Sequence, residues 1–252
     1  MSHRLIMHWN QWLNQSLGQL IVQTEQEVLK TFLSEVYGKH AVLVGVPHQC
    51  ELLNPLLLAC HLLVTPLHHH SCPVKVIESS LHELPLASGS VDLVLLPHTL
   101  ELVDNPRQLL AEACRIVKPE GHLIVCGFNI YSMWGLKKLF LPIHSSFPVL
   151  HSLTSGMVKK WLNLSDFQLV QETTTLYRPP IQNSQVFKKL HFLEWMGHKS
   201  RFPWGAVYVL MAKAKVIPLT PIRWRWKQRL AGMPIPTHIP GPSIRNIRNI
   251  MK

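Results

Sequence analysis

Apolar residues recur along this chain with two different spacings, and their alternation predicts a protein of mixed strands and helices. Short, nearly continuous apolar runs are typical of strands that are covered on both faces. Such runs predict seven strands, in chain order at Ala41–Val44, His61–Thr65, Val74–Glu78, Val91–Leu96, Leu123–Cys126, Phe167–Leu176 and Ala206–Ala212.

Helical spacing is clearest between the fourth and fifth of these strands. Asn105 is a good N-cap residue, and Pro106 suits the first helical position. Leu109, Leu110 and Ala113 then fall on one helical face. Pro119 and Gly121 are expected to end the helix in a turn before the next strand. A strand–helix–strand unit of this length indicates parallel strands joined by a right-handed crossover.

The first thirty-nine residues also show helical spacing, which continues as far as Val36. Tyr37-Gly38-Lys39 then ends the pattern before the first strand. We therefore expect residues 1–39 to form a helical cover. This cover either packs only against the sheet or brings Trp9 or Trp12 over a bound ligand. Further helices are predicted around Trp134–Phe140 and Thr154–Leu164.

The stretch from Leu84 to Asn129 resembles the second half of class I S-adenosylmethionine (SAM)-dependent methyltransferases of the type-11 group. The motifs that carry the resemblance occur in the family's order: Leu84-Pro85, Val91-Asp92, His98-Thr99-Leu100-Glu101, Asn105-Pro106 and Arg115–Gly121. Gly127–Leu139 and Val216–Thr220 resemble a YafS-like proteobacterial branch of that family. The resemblance implies a Rossmann-like three-layer α/β sandwich with a mostly parallel seven-stranded sheet and an antiparallel final strand. It also implies methyl transfer from SAM to an unidentified acceptor.

The loop after the first strand departs from the family pattern. Glycines there let the backbone approach the cofactor, and amides at the next helix start meet its carboxylate. Only Gly45 matches, because the family's acid and further glycines correspond to Leu43, Pro47 and Gln49.

The family's acid at the end of the second strand is replaced by Thr65, and its acid just after the third strand is replaced by Ser80. Glu78, two residues before Ser80, is a substitute only if the local register differs. Two functions therefore compete: an active methyltransferase with an atypical loop, and an inactive scaffold with the same fold.

The resemblance assigns candidate site residues position by position. Those expected to bind SAM are Gly45 and Val46 at the methionine end, Thr65 at the ribose, Ser80 and Leu81 at the adenine, and Pro97 at the end of the fourth strand. His98 and Glu101 are the candidate catalytic residues, since a histidine can accept a proton from the acceptor. Asn129 and Tyr131 are the candidates for contact with the acceptor.

Composition favours one intracellular α/β domain with appendages. The chain has 252 residues, five cysteines without Cys-x-x-Cys spacing, and no segment typical of a secretory signal or a membrane span. We therefore predict a cytoplasmic location. His68-His69-His70 near Cys72 is interpreted as a polar loop, because zinc sites use spaced ligand pairs. No metal site is predicted.

Charge is concentrated at the C-terminus. Residues 1–215 are expected to hold the helical cover (1–39) and the methyltransferase-like domain (40–215), with 18 basic and 14 acidic residues. Residues 216–252 carry seven basic residues, no acidic ones and six prolines. Arg223–Arg229 interleaves basic residues with tryptophans, which suits nucleic acid or an anionic surface. The alternative is a solvated tail whose tryptophans dock on the domain.

Overall fold

The computed structural model describes residues 2–34, 36–54, 58–68, 73–132, 134, 153–177 and 205–215. The chain divides into two units, Met1–Val216 and Ile217–Lys252, and only the first contains described residues. The basic tail and Arg223–Arg229 therefore lie outside the part of the chain considered below. No helix in the described ranges combines the length and the apolar character needed to cross a membrane.

Helices and strands follow the order that the sequence predicts. The helices are α1 (Ser2–Trp12), α2 (Ser16–Leu33), α3 (Pro106–Ile116) and α4 (Ser155–Leu164), with short 3-10 helices at Pro47–Leu53 and Thr99–Glu101. The strands are β1 (His40–Val44), β2 (Cys60–Thr65), β3 (Lys75–Glu78), β4 (Val91–Pro97), β5 (Val117–Phe128), β6 (Phe167–Thr175) and β7 (Val207–Ala214). Residues 135–140 of the predicted helix Trp134–Phe140 lie outside the described ranges.

The strands of the described residues form one seven-stranded sheet in the order β3-β2-β1-β4-β5-β7-β6. The first five strands run parallel, whereas β7 is antiparallel to both β5 and β6. The predicted Rossmann-like fold class is therefore confirmed. The chain reverses its direction of strand addition beside β1, since β2 lies on one side of β1 and β4 on the other. A crevice at such a point is where open α/β sheets bind ligands.

The start of α3 is as predicted, but its end differs. Asn105 Oδ1 accepts a hydrogen bond of 3.2 Å from the backbone N–H of Gln108, which is the expected N-cap. Helix α3 ends at Ile116, and Pro119 and Gly121 lie within the span of β5. Val117 already pairs with Val91, and the register shifts before β4 and β5 pair again at Leu93 and His122. Residues 118–121 therefore stand outside the regular pairing, and Glu120 among them has a left-handed φ of 66°.

The predicted N-terminal cover consists of two helices, because the chain turns between Trp12 and Ser16. The buried residues of α2 include Ile21, Val22, Leu29 and Phe32, and they form one helical stripe. Glu25 lies in the same stripe and is also buried. A carboxylate therefore occupies a core position of α2, facing the sheet.

Candidate functional site

The candidate site lies at the carboxyl ends of β1 and β4, the two strands that flank the point of reversal. Gly45 and Val46 follow β1 directly, and Pro97 is the last residue of β4. Val46 has no solvent exposure. The predicted residues Gly45, Val46, Pro97 and His98 thus belong to one edge of the sheet, which is the edge where this architecture binds ligands.

The side chain of Gln49 joins the two strand ends. Its Oε1 atom accepts a hydrogen bond of 3.1 Å from the backbone N–H of Val46. Its Nε2 atom donates one of 2.9 Å to the carbonyl oxygen of Pro97. Gln49 is 1% exposed, so both bonds are shielded from water. The ends of β1 and β4 therefore supply one backbone donor and one backbone acceptor, and both bind the amide of Gln49.

Gly45 is needed because Gln49 approaches it closely. A Cβ atom at position 45 would lie 2.5 Å from Gln49 Oε1 and 3.2 Å from Leu43 Cδ2. The hydroxyl of Thr99 adds a second link between the strands by donating to the carbonyl oxygen of Val44. Gly45, the one glycine that the loop shares with the family pattern, therefore leaves space for the Gln49 side chain.

His98 turns the chain out of β4 and lies between two carboxylates. Its φ of 57° is left-handed, a conformation that few non-glycine residues adopt. Its Nε2 atom lies 2.7 Å from Oε1 of Glu25 on α2, and its Nδ1 atom lies 3.0 Å from Oε2 of Glu101. All three side chains are at most 1% exposed. We call them the Glu–His–Glu cluster.

The cluster holds His98 in its protonated form. Burial acts to lower the pKa of the imidazole, but the charge on Glu25 and the hydrogen bonds to both carboxylates outweigh it and raise the pKa to about 9. An imidazole that keeps its proton at pH 7 is not suited to act as a general base.

Aromatic rings and backbone groups surround the cluster. The ring centroid of His98 lies 4.1 Å from that of Phe128 and 5.4 Å from that of Trp9. Glu101 Oε1 accepts a hydrogen bond of 2.8 Å from the backbone N–H of Phe128 at the end of β5. Glu25 Oε2 is buried and has no hydrogen-bond partner among the described residues. One carboxylate oxygen is thus left for a further contact.

Helix α1 closes over this edge of the sheet. Trp9 has no solvent exposure and stacks on Trp12 with ring centroids 5.2 Å apart. Asn10 Oδ1 accepts a hydrogen bond of 3.2 Å from the backbone N–H of His48, beside Gln49. Helix α1 therefore packs at this edge of the sheet and brings Trp9 next to His98. That Trp9 or Trp12 covers a bound ligand stays a prediction.

The residues predicted to hold the nucleoside lie further along the same edge. Thr65, at the end of β2, is fully buried, and its Oγ1 atom accepts a hydrogen bond of 3.2 Å from the backbone N–H of Leu67. Ser80 Oγ accepts one of 3.2 Å from the backbone N–H of His82. Leu81 is buried. Glu78 pairs with His68 through a 2.7 Å contact to the imidazole Nδ1.

Asn129 and Tyr131, the predicted acceptor residues, differ in their surroundings. Asn129 joins the end of β5 to the start of β7, because its backbone N–H donates to the carbonyl oxygen of Ala206 and its Nδ2 to that of Gly205. Its Oδ1 accepts from the backbone N–H of Tyr131. The Tyr131 side chain is 70% exposed. Their contact with an acceptor stays a prediction.

Comparison with known proteins gives the same family as the resemblance. Residues 56–125 match the methyltransferase domain family. This match supports the class I SAM-dependent methyltransferase family that the motifs of Leu84–Asn129 indicate. The chain is 27% identical over 216 residues to the uncharacterised protein YafS of Escherichia coli K12. This alignment covers 83% of the chain and 82% of the relative.

Solved structures agree on the fold. A SAM-dependent methyltransferase of Thermotoga maritima superposes with a TM-score of 0.61 at 19% identity, covering 84% of this chain and all of the other. One of Archaeoglobus fulgidus gives a TM-score of 0.52 at 15% identity, with coverages of 75% and 94%. These structures confirm the predicted fold, and the match of residues 56–125 to the methyltransferase domain family supports the predicted family, enzyme class and cofactor.

The crevice between β1 and β4 has the donor set for the amino-acid end of SAM. That end carries a carboxylate, which needs a donor such as the Val46 N–H, and an ammonium group, which needs an acceptor such as the Pro97 carbonyl. Gln49 uses the same two groups, which shows that one compact polar group can reach both. The residues present therefore fit the cofactor once the Gln49 amide moves aside.

Sequence reasoning missed two residues of this site. Glu25 was not singled out, although it follows Ile21 by four residues and precedes Leu29 by four, inside an otherwise apolar stripe. A carboxylate at such a position needs a buried partner, and this is the signal that could have found it. Gln49 was recognised as a departure from the glycine pattern, but no local signal relates it to Pro97, 48 residues later.

Proposed function

We propose that this chain transfers the methyl group of SAM to an acceptor, with its active centre at the crevice between β1 and β4. The observation that carries this proposal is the pair of backbone groups, Val46 N–H and Pro97 C=O, that face a single amide across the crevice. This pair lies at the point of strand reversal of a fold in the methyltransferase family. When bound, SAM supplies a methyl group activated on a sulfonium.

The chain's own residues would orient and shield the reacting groups. Val46 and Pro97 would bind the amino-acid end, and Thr65, Ser80 and Leu81 would line the nucleoside end. His98, which holds its proton at neutral pH, would act by fixing Glu25 and Glu101 rather than by accepting a proton. Glu25 Oε2 is the cluster atom left to receive a hydrogen bond or proton from a ligand. Trp9 and Phe128 would exclude water from this wall.

Calorimetric titration of the purified protein with SAM, and separately with S-adenosylhomocysteine, tests this function. We expect one-to-one binding in the micromolar range. Ligand at about 100 times its Kd should stabilise the protein by about 2.7 kcal/mol, which raises Tm by a few degrees. No binding at millimolar ligand, from a protein that unfolds cooperatively, would contradict the proposal.

A non-catalytic scaffold is the second candidate function, and one observation favours it. Gln49 and Thr99 already bind the backbone groups at the ends of β1 and β4 without any ligand. A fold closed in this way could serve as a binding module. The same titration separates the two functions, because a scaffold of this kind would bind neither SAM nor S-adenosylhomocysteine.

The basic tail is proposed to contact nucleic acid or an anionic surface through Arg223–Arg229. Its support is the charge pattern, with four basic residues and two tryptophans in seven positions. Binding of single-stranded RNA to the full chain should weaken with salt, with a logarithmic slope that becomes shallower by about 3 when Arg223, Arg225, Lys227 and Arg229 are replaced by glutamine. Vesicles with and without anionic lipid test the other partner. An unchanged slope and unchanged vesicle binding would rule out this role.

A further inference from the structure

The side-chain amide of Gln49 lies between the ends of β1 and β4, where a ligand of this fold would bind. It is 1% exposed, and its donor and its acceptor are each used once, on opposite sides of the crevice. The bond to Val46 alone would be explained as half of a capping box at the start of the 3-10 helix Pro47–Leu53. The bond to Pro97 is not part of any cap, since it reaches the end of a different strand.

The chemistry of the amide matches that of an amino-acid group. A carboxamide presents one carbonyl acceptor and one NH₂ donor about two bonds apart. An α-amino acid presents a carboxylate acceptor and an ammonium donor at a similar separation. Both can bridge the Val46 N–H and the Pro97 carbonyl oxygen, and the Gln49 amide already binds these two groups. The close approach of Gln49 Oε1 to Gly45 shows how little space is left.

We propose that Gln49 is a built-in occupant of the amino-acid subsite, and that a ligand with an α-amino-acid end binds by displacing its side-chain amide. This inference rests on the proposed function, because it assumes that the nucleoside ligand binds at this edge of the sheet. It makes Gln49 a residue that sets affinity and selectivity. Ligands with the amino-acid end must compete with it, whereas ligands without that end need not.

Displacement involves one flexible side chain. Gln49 is held in the crevice by two neutral hydrogen bonds, and a rotation about its side-chain bonds would release both without moving β1 or β4. Losing two such bonds lowers the affinity of a competing ligand by a factor on the order of ten to a hundred. Removing the amide should therefore raise the affinity for ligands that carry the amino-acid end by the same factor.

Two nucleosides that differ only in this end provide the test. S-adenosylhomocysteine has an amino-acid end, whereas 5′-methylthioadenosine has the same nucleoside and a thioether without it. We would measure the Kd of both by calorimetry on the full chain, on Gln49→Ala, and on the control Gln168→Ala, whose side chain is exposed on β6. Gln49→Ala should bind S-adenosylhomocysteine about tenfold or more tightly than the original chain. Its affinity for 5′-methylthioadenosine, and both affinities of Gln168→Ala, should stay within about twofold.

The possible failures are distinguishable. If both nucleosides bind and Gln49→Ala leaves the ratio of their Kd values unchanged, the inference about Gln49 is wrong while the proposed function survives. If neither nucleoside binds to any of the three proteins, the proposed function is wrong and the inference falls with it. A weaker affinity of Gln49→Ala for S-adenosylhomocysteine would show that Gln49 helps to bind the ligand, which also overturns the inference.

A second measurement does not depend on the variant folding. The side-chain NH₂ resonances of Gln49, assigned in the original chain by triple-resonance NMR, should move toward solvent-exposed values when S-adenosylhomocysteine is added. They should stay in place with saturating 5′-methylthioadenosine. Equal responses to both ligands, or no response to saturating S-adenosylhomocysteine, would contradict displacement.

Discussion

The Nε2 atom of His98 lies 2.7 Å from the Oε1 atom of Glu25, so a residue at the end of β4 and one on α2 share a buried ionic contact across 73 positions of the chain. Glu101 completes the arrangement from the other side of the imidazole at 3.0 Å. The contact therefore holds the N-terminal helices against the edge of the sheet where the ligand is proposed to bind. The stability of that edge therefore depends on whether His98 is protonated.

We expect the free energy of unfolding to fall as the pH rises from 6.5 to 9. The pKa of His98 is raised from 6.5 to about 9 because burial, which acts against the proton, is outweighed by Glu25 and Glu101. The stabilisation is thus fully present below pH 6.5, the ordinary pKa, and is lost as the pH passes through 9. The stabilisation that is lost is on the order of 3 kcal/mol, because a change of one unit in pKa corresponds to about 1.4 kcal/mol.

Urea denaturation at a series of pH values measures this loss. The control is Glu25→Gln, which removes the charge that most favours the protonated imidazole and should make the decline with pH shallower. Parallel pH dependences of the original chain and of Glu25→Gln would show that His98 is not the titrating group.

Replacing Trp9 with alanine should destabilise the protein by about 3–5 kcal/mol, because it removes a fully buried ring that contacts Trp12, His98 and Phe128. Met7 on the same helix is 45% exposed, so Met7→Ala should cost less than about 0.5 kcal/mol. Chemical denaturation of both variants checks the difference. A similar small cost for both would mean that α1 does not pack on the sheet edge as described.

Gly45→Ala should cost about 1–2 kcal/mol, since the new Cβ would lie 2.5 Å from Gln49 Oε1 and force the amide off its hydrogen bonds. The cost should shrink in a Gln49→Ala background, and a double-mutant cycle measures the coupling. Gly156→Ala is the matched control: a Cβ there meets nothing within 4 Å in helix α4, so the change should be neutral or slightly stabilising. Additive costs at positions 45 and 49 would disprove the close approach.

Asp92 should contribute stability that is lost at low pH. Burial acts to raise the pKa of its carboxyl, but hydrogen bonds from Lys118 and from the backbone of Lys39 and His40 lower it from 3.8 to about 2. Its stabilisation is therefore present above pH 3.8 and disappears as the pH falls through 2. At pH 7, Asp92→Asn should cost about 1–3 kcal/mol by loss of the charge-assisted hydrogen bonds.

Acid denaturation followed by circular dichroism checks the pH range. The variant Asp92→Asn should lose less stability than the original chain between pH 4 and pH 2. If the two proteins lose the same amount in that range, Asp92 is not the group responsible.

Local chemistry explains how much of the fold could be predicted. The continuous apolar run Val91–Leu96 predicts a strand, because such a run is typical of a strand that is buried on both faces. In the structure β4 extends one residue further, to Pro97. Asn105 was predicted as an N-cap because its side chain reaches an amide only three residues away. The early start of β5 at Val117, before Pro119 and Gly121, could not be predicted, since it depends on pairing with Val91 in a distant segment.

The sequence by itself determined the elements, their order and the family, because helical and strand spacing, caps and motif order are all encoded within a few residues of one another. Only the tertiary structure decided the chemistry of the site. Glu25 reaches His98, and Gln49 reaches Pro97, from positions 73 and 48 residues away. The protonation of His98 and the occupancy of the crevice follow from these contacts, since burial and charge at a point in space depend on which distant segments the fold brings there.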